Sequence, residues 1–263
     1  MQRVAPYAQL ARDFDRELGA IFAQFERPLL DALLRAWRPP GDRVLDLACG
    51  TGRVATYLAR RRRLEVVGLD RSPSMVAMAR RRSGGGQVRW LVGDMRRFAL
   101  RRPVGLVTCL FDSLNHLTRG RDVQRTLRCV ARHLLPGGRL LFDVNTPYAL
   151  RRLWPGLGRV IERPDHCAVW RADYDRRHRR ARLVADYFIG TEARGYRHVR
   201  EVHLEKAHHD SELRRWIGNA GLRVRAVGRL YKGRGPRPPC LRRVYLCEAA
   251  DAGARDSGGA PDA

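Results

Sequence analysis

The chain has 263 residues, enough to bury one sizeable core with an elaboration, and nothing in it requires two independent domains. A formal charge of +25 and an isoelectric point near 11.3 would attract nucleic acid or anionic membranes, but all of the basic residues except Lys206 and Lys232 are arginines. They are dispersed, which reads as a usage bias rather than a focused nucleic-acid patch. No apolar run approaches the length that spans a bilayer, no charged-then-apolar leader precedes the first helical pattern, and six cysteines show no C-x-x-C spacing, so a cytoplasmic protein without membrane contact is expected.

Leu10, Phe14, Leu18, Ile21, Phe22 and Phe25 recur at helical spacing, as do Leu29, Leu30, Leu33, Leu34 and Trp37, until Pro39-Pro40-Gly41 ends the pattern. Residues 1–40 are therefore expected to form cap helices. Over 41–146 the pattern alternates: strand 43–47, helix 52–62, strand 64–69, helix 73–82, strands 88–92 and 104–110, a helix from Val123 to Leu134, and strand 139–144. Such alternation implies right-handed crossovers and an α/β fold with a doubly wound, mostly parallel seven-stranded sheet, whose ligand lies at the carboxyl ends of the strands.

Between 147 and 210 the runs Val160-Ile161, Cys167 to Trp170, Leu183 to Phe188 and Val199 to Leu204 are short and bounded by charged turns. They predict an antiparallel β insertion after the fifth strand, placed to serve as a substrate lid or as an oligomer contact in a homodimer. Residues 211–249 supply a helix ended by Gly221 and strands 222–230 and 241–248, joined by a flexible Gly/Pro-rich loop over 233–239. The segment 250–263 is expected to be a disordered tail.

Within this frame the run Val44-Leu45-Asp46-Leu47-Ala48-Cys49-Gly50-Thr51-Gly52, answered by Asp70, stands out. A strand that stops in a glycine turn and restarts as a helix lets backbone N–H groups approach a ligand, and an acid roughly 20 residues on is placed to hold ribose hydroxyls. The same glycines satisfy the G-x-G-x-x-A form of a dinucleotide fingerprint. Asp46, however, would repel a pyrophosphate and attract a ligand that carries an ammonium and a sulfonium, as S-adenosylmethionine does.

The segment resembles motif I of the class I S-adenosylmethionine-dependent methyltransferases. Further matches follow in order: Gly93-Asp94-Met95 resembles the acidic loop that hydrogen-bonds the adenine amino group, Leu106 to Asn115 the fourth-motif strand and its loop, and Pro136-Gly137-Gly138 the turn before the fifth strand. The likeness covers residues 40–146 well. It implies a Rossmann-like methyltransferase fold with S-adenosyl-L-methionine held by Asp46, Ala48, Gly50, Gly52, Asp70, Arg71, Met75, Asp94, Met95 and Leu110.

Methyl transfer from a sulfonium needs alignment and exclusion of water rather than a metal, and proximity of this kind contributes roughly 7 to 11 kcal/mol. The loop Leu110 to Leu117 leaves the fourth strand beside the expected methyl position. His116 is a candidate proton acceptor and Asp112 a candidate partner for a cationic amine. This loop is similar to that of small-molecule methyltransferases which include amino-sugar N-methyltransferases. There a histidine in the loop and a tyrosine near the N-terminus line the acceptor site, and His116 and Tyr7 match them. It departs from that group at Asp112-Ser113-Leu114-Asn115, where the group carries small residues, and it lacks the N/D-P-P-Y motif of base methylation.

The expected activity is methyl transfer to nitrogen or oxygen of a small organic acceptor. An RNA- or protein-directed methyltransferase, a nicotinamide-dependent oxidoreductase and a nucleoside-binding module without activity are the alternatives. His208 and His209 precede the helix at Ser211 and are expected to cap it or face solvent.

Overall fold

The computed structural model describes residues 1–61, 64–84, 86, 88–232 and 239–250. Positions 233–238 of the expected loop and the tail from 251 lie outside the described residues. In chain order the elements are β1 (Gln2–Arg3), α1 (Leu10–Ile21), α2 (Arg27–Ala36), β2 (Arg43–Leu47), α3 (Arg53–Ala59), β3 (Glu65–Asp70), α4 (Pro73–Ser83), β4 (Val88–Val92) and β5 (Val104–Cys109). There follow α5 (Gly120–His133), β6 (Leu134–Asn145), α6 (Pro147–Arg152), β7 (Arg159–Arg163), β8 (His166–Asp175), β9 (Arg180–Thr191), β10 (Gly195–Lys206), α7 (Asp210–Asn219), β11 (Leu222–Lys232) and β12 (Cys240–Ala249).

The larger sheet has the order β11-β12-β6-β5-β2-β3-β4, and only β12 runs against its neighbours. This is the doubly wound, mostly parallel seven-stranded sheet expected from the alternation. Its two faces follow from the period of a strand: Val44 packs toward Leu30, Leu34, Val54 and Leu58, while Leu45 and Leu47 pack toward Val123, Leu127, Trp216 and Ile217. Leu30, Leu45, Leu47 and Leu58 are completely buried, each contributing about 1.5–3 kcal/mol. Gly52 and Gly68 leave room for the Trp90 ring, which a Cβ at either position would meet at 2.4 Å.

The two predicted N-terminal helices are one continuous helix. A single π turn over Phe22–Glu26 joins α1 to α2, and it ends just before Pro28, which has no N–H to give to the preceding turn. Strand β6 begins at Leu134 and runs through Pro136-Gly137-Gly138, so the expected turn lies inside its first half.

The second sheet has the order β1-β10-β9-β8-β7. Its strands reach 12 residues, and β1 adds in parallel to β10, an edge too short for any sequence pattern to reveal. The N-terminus of α1 is tied to this sheet by the fully buried Glu201 of β10, whose carboxylate accepts the backbone N–H groups of Tyr7 (3.2 Å), Gln9 and Leu10 (3.3 Å). An anion at a helix N-terminus is favourable and satisfies donors that the helix leaves open. On the other side of α1, Asp15 accepts from Thr51 Oγ1 (2.7 Å), Arg53 Nε (2.7 Å) and Arg82. Helix α1 is thereby held between the second sheet and the glycine turn.

Candidate active site

One cleft of about 920 Å³ opens where the carboxyl ends of β2, β3 and β5 face α1 and the second sheet. Asp46, Ala48, Gly50, Asp70, Arg71, Met75, Asp94, Met95, Leu110, Asp112, His116 and Tyr7 all line it. Gly52 is not among the lining residues; its φ of +79° and its contact with Trp90 give it a packing role.

The turn after β2 is preorganised. Ala48 (φ +56°), Gly50 (φ +54°) and Gly52 all adopt left-handed backbone, which costs little at glycine and more at Ala48. A Cβ added at Gly50 would meet nothing within 4 Å, because the space beside it is open. The Gly50 N–H donates to Asp70 Oδ2 (2.9 Å) and the Ser72 N–H to Oδ1 (2.8 Å), so the Asp70 carboxylate is oriented by two backbone donors. Burial nevertheless pushes the Asp70 carboxyl above its ordinary value.

Asp46 is almost fully buried at the strand end, accepting from the Ala55 N–H (3.0 Å) and from Thr108 Oγ1 (2.7 Å). Desolvation raises its pKa to about 7 despite those donors, and the nearby Asp70 adds to the rise. Asp94 differs: Arg96 grips it through Nε (2.9 Å) and Nη2 (2.5 Å), and its carboxyl is held below the usual range by that pairing. Met75 is buried beneath the cleft and Leu110 closes its floor. Three acidic groups on successive strand ends beside an open glycine turn fit a nucleoside ligand with positive charge at its amino-acid end.

Beyond Leu110, Phe111 (φ +58°) and Asp112 (φ +51°) are two consecutive left-handed residues that turn the chain back into a short 3-10 turn over Ser113–His116. The Asp112 N–H donates to Asp143 Oδ1 (2.6 Å), while Asp112 Oδ2 accepts from Asn145 Nδ2 (2.5 Å) and Arg242 (3.0 Å). His116 Nδ1 lies 3.3 Å from the Leu204 carbonyl and Nε2 lies 2.7 Å from the Tyr7 hydroxyl. The carbonyl can only accept, so Nδ1 carries the proton and Nε2 receives the Tyr7 O–H. Burial pushes the imidazole down to about 4, and the ring is neutral at physiological pH.

Four residues that reading the sequence missed share this wall. Glu205 and His203 line the cleft from β10, and Asn145 and Arg242 enter from β6 and β12. In the structure Val199, Glu201, His203 and Glu205 alternate on one face of β10 and are all at most 3% exposed; the sequence shows the alternation but not that this face is the inner one. His208 and His209 stand apart. His208 Nε2 bonds the Leu117 carbonyl (2.9 Å) and His209 forms a capping box with Glu212. Among the described residues no group of three His, Cys, Asp or Glu side chains is arranged to hold a metal, and no helix is long and apolar enough to cross a membrane.

A family model described as a methyltransferase domain matches residues 44–138. The chain is 32% identical over 213 residues to the dTDP-3-amino-3,6-dideoxy-alpha-D-glucopyranose N,N-dimethyltransferase of Streptomyces fradiae, covering 78% of this chain and 80% of that protein. An S-adenosylmethionine-bound amino pentose methyltransferase from Micromonospora echinaspora superposes with a TM-score of 0.60 at 28% identity over 82% of this chain and 87% of that one. The fold is matched by an S-adenosylmethionine-dependent methyltransferase from Clostridium acetobutylicum with a TM-score of 0.76 at 21% identity, covering 93% and 99%. With motif, sheet order and relatives in agreement, the chain belongs to the S-adenosylmethionine-dependent methyltransferases.

Proposed function

We propose that this methyltransferase acts on the amine nitrogen of a small acceptor of the amino-sugar type. The observation that carries the reading is the Tyr7–His116 pair, which stands beside the carboxyls of Asp112 and Glu205 on the wall that continues from Leu110. Although the chain carries a net charge of +25, Asp112 and Glu205 stand beside Arg242 at the inner end of its cleft, and carboxyls there favour an acceptor whose reacting group is cationic. The S. fradiae relative, by its name, dimethylates the nitrogen of an amino sugar. The small-sheet strands β8, β9 and β10 contribute Trp170, Leu183 and Glu205 to the cleft, which supports the lid reading of the insertion over a purely oligomeric one.

Asp46 and the Ala48–Gly50 turn would hold the amino-acid end of the methyl donor, Asp70 its ribose, and Asp94, Met75 and Met95 its adenine, with Arg71 at the rim. When bound, S-adenosylmethionine supplies a methyl group on a sulfonium that leaves as a neutral thioether. The protein's own work is to fix the acceptor nitrogen in line and keep water out. The neutral His116 orients the Tyr7 hydroxyl so that its oxygen lone pairs face the acceptor.

Incubating the enzyme with methyl-labelled S-adenosylmethionine and either dTDP-3-amino-3,6-dideoxy-α-D-glucopyranose or its 3-hydroxy counterpart tests the reading. Label on the nitrogen and none on the hydroxyl is expected; label on the hydroxyl sugar alone would contradict it.

The raised Asp46 also sets a pH dependence. An acid whose folded pKa lies above its unfolded value of about 3.9 stabilises the fold fully only below that value, and this contribution is lost as pH rises toward about 7. A cation bound beside it favours the ionised form, so affinity for the methyl donor increases as pH rises through about 7. Calorimetric titration across this range should show the increase in the wild type and a flatter profile in Asp46→Asn.

A further inference from the structure

Two carboxyls, Asp112 and Glu205, line the inner end of the cleft with a third, Asp143, fully buried behind them, and the three are not equivalent. Asp112 and Asp143 share the guanidinium of Arg242, at 3.0 and 3.3 Å. Glu205, 3% exposed, shares Asn145 with Asp112 but has no ion pair with the guanidinium: its Oε2 accepts from Asn145 Nδ2 at 3.0 Å, and Oε1 accepts no hydrogen bond from any described residue. His116 Nε2 stands 3.6 Å from Oε1, but in the tautomer fixed by the Leu204 carbonyl that nitrogen carries no proton to give. With no protein donor of its own among the described residues, Oε1 is left to an N–H that enters the cleft.

We propose that Glu205 is a further catalytic residue, the group that receives the proton of the acceptor's ammonium before methyl transfer; this rests on the amine reading above. Amines of this kind arrive protonated at neutral pH, and a protonated nitrogen has no lone pair with which to attack. In the proposed step an N–H bond of the ammonium breaks, an O–H bond forms at Glu205 Oε1, and the electron pair remains on nitrogen as the nucleophile. The titratable and charged groups that face Glu205 are Tyr7 ahead of α1, Asp112 and His116 in the loop after β5, Asp143 on β6, His203 on its own strand, and Arg242 on β12. Burial first, then the Asp112 charge, pushes the Glu205 carboxyl well above the ordinary range, closer to an amine and so better matched for the exchange.

Glu205→Gln keeps the shape and the bond to Asn145 while removing the proton site. With dTDP-3-amino-3,6-dideoxy-α-D-glucopyranose as acceptor, wild-type kcat/KM is expected to be nearly flat between the Glu205 and amine pKa values. In Glu205→Gln only the neutral amine reacts, so the rate is about 100-fold lower near pH 7 and rises about tenfold per pH unit until it approaches the wild type. A second readout does not depend on turnover: titrating the S-adenosylhomocysteine-loaded proteins, the amino sugar should bind about tenfold more weakly to Glu205→Gln, with binding of the 3-hydroxy sugar unchanged. Should Glu205→Gln fail to bind S-adenosylhomocysteine, Glu205→Asp replaces it and should lose rate while keeping the flat profile. A rate ratio that does not change with pH, or equal weakening of both sugars, overturns the assignment while leaving the amine reading intact. A wild-type enzyme that methylates only the hydroxyl sugar overturns both.

Discussion

Asp70→Ala is expected to weaken S-adenosylmethionine binding by about 1–3 kcal/mol, a rise in Kd of roughly 5-fold to 150-fold. The carboxylate is already held in place by the N–H groups of Gly50 and Ser72, so no ordering cost remains when ribose hydroxyls reach it. Its burial makes charge-assisted bonds strong and also leaves the two backbone donors unpaired when the side chain is removed. Asp70→Asn, which retains an acceptor oxygen without the charge, should lose less. Calorimetry reads both, and an unchanged Kd in Asp70→Ala would place the ribose elsewhere.

The second large effect concerns turnover instead of cofactor affinity. His116→Ala is expected to lower kcat by about 100-fold while leaving the S-adenosylmethionine Kd within about twofold of wild type. The imidazole is kept neutral by burial, and its Nε2 is engaged by the Tyr7 hydroxyl at 2.7 Å. Tyr7→Phe should therefore give a loss of similar size, and the double variant should be little worse than either, because one hydrogen bond is removed in all three. A double variant whose losses multiply would show that the two residues act separately.

Much of this was legible in the residues because the core is built from local signals. Apolar runs of strand length alternating with helical periods specify parallel pairing, and the glycine turn after Leu47 with Asp70 at the next strand end marks the ligand edge. Tyr7 and His116 lie 109 positions apart; a likeness to known loops suggested that both line the acceptor site, but not that 2.7 Å separates them in the fold. What the sequence hid depends on long-range geometry. Whether Glu201 faces Leu10 or solvent is decided by the register of β10 on β9 and by the docking of α1, neither of which leaves a trace in short windows. At Gly52 the motif position told only of a ligand, and the spacing did not show that its missing side chain also admits Trp90 from β4. Asp94 lines the cleft, but the bidentate grip of Arg96, two residues away, could not be read from spacing alone.

A crystal structure of the enzyme with S-adenosylhomocysteine tests the central claim most directly. The account predicts ribose hydroxyls within hydrogen-bond distance of Asp70, the amino-acid end against the Ala48–Gly50 turn above Asp46, adenine beside Asp94 and Met75, and the sulfur facing Leu110 and the Tyr7–His116 pair. A ligand seated away from the ends of β2 and β3, with Asp46 and Asp70 bonded only to their present backbone and side-chain donors, would contradict it.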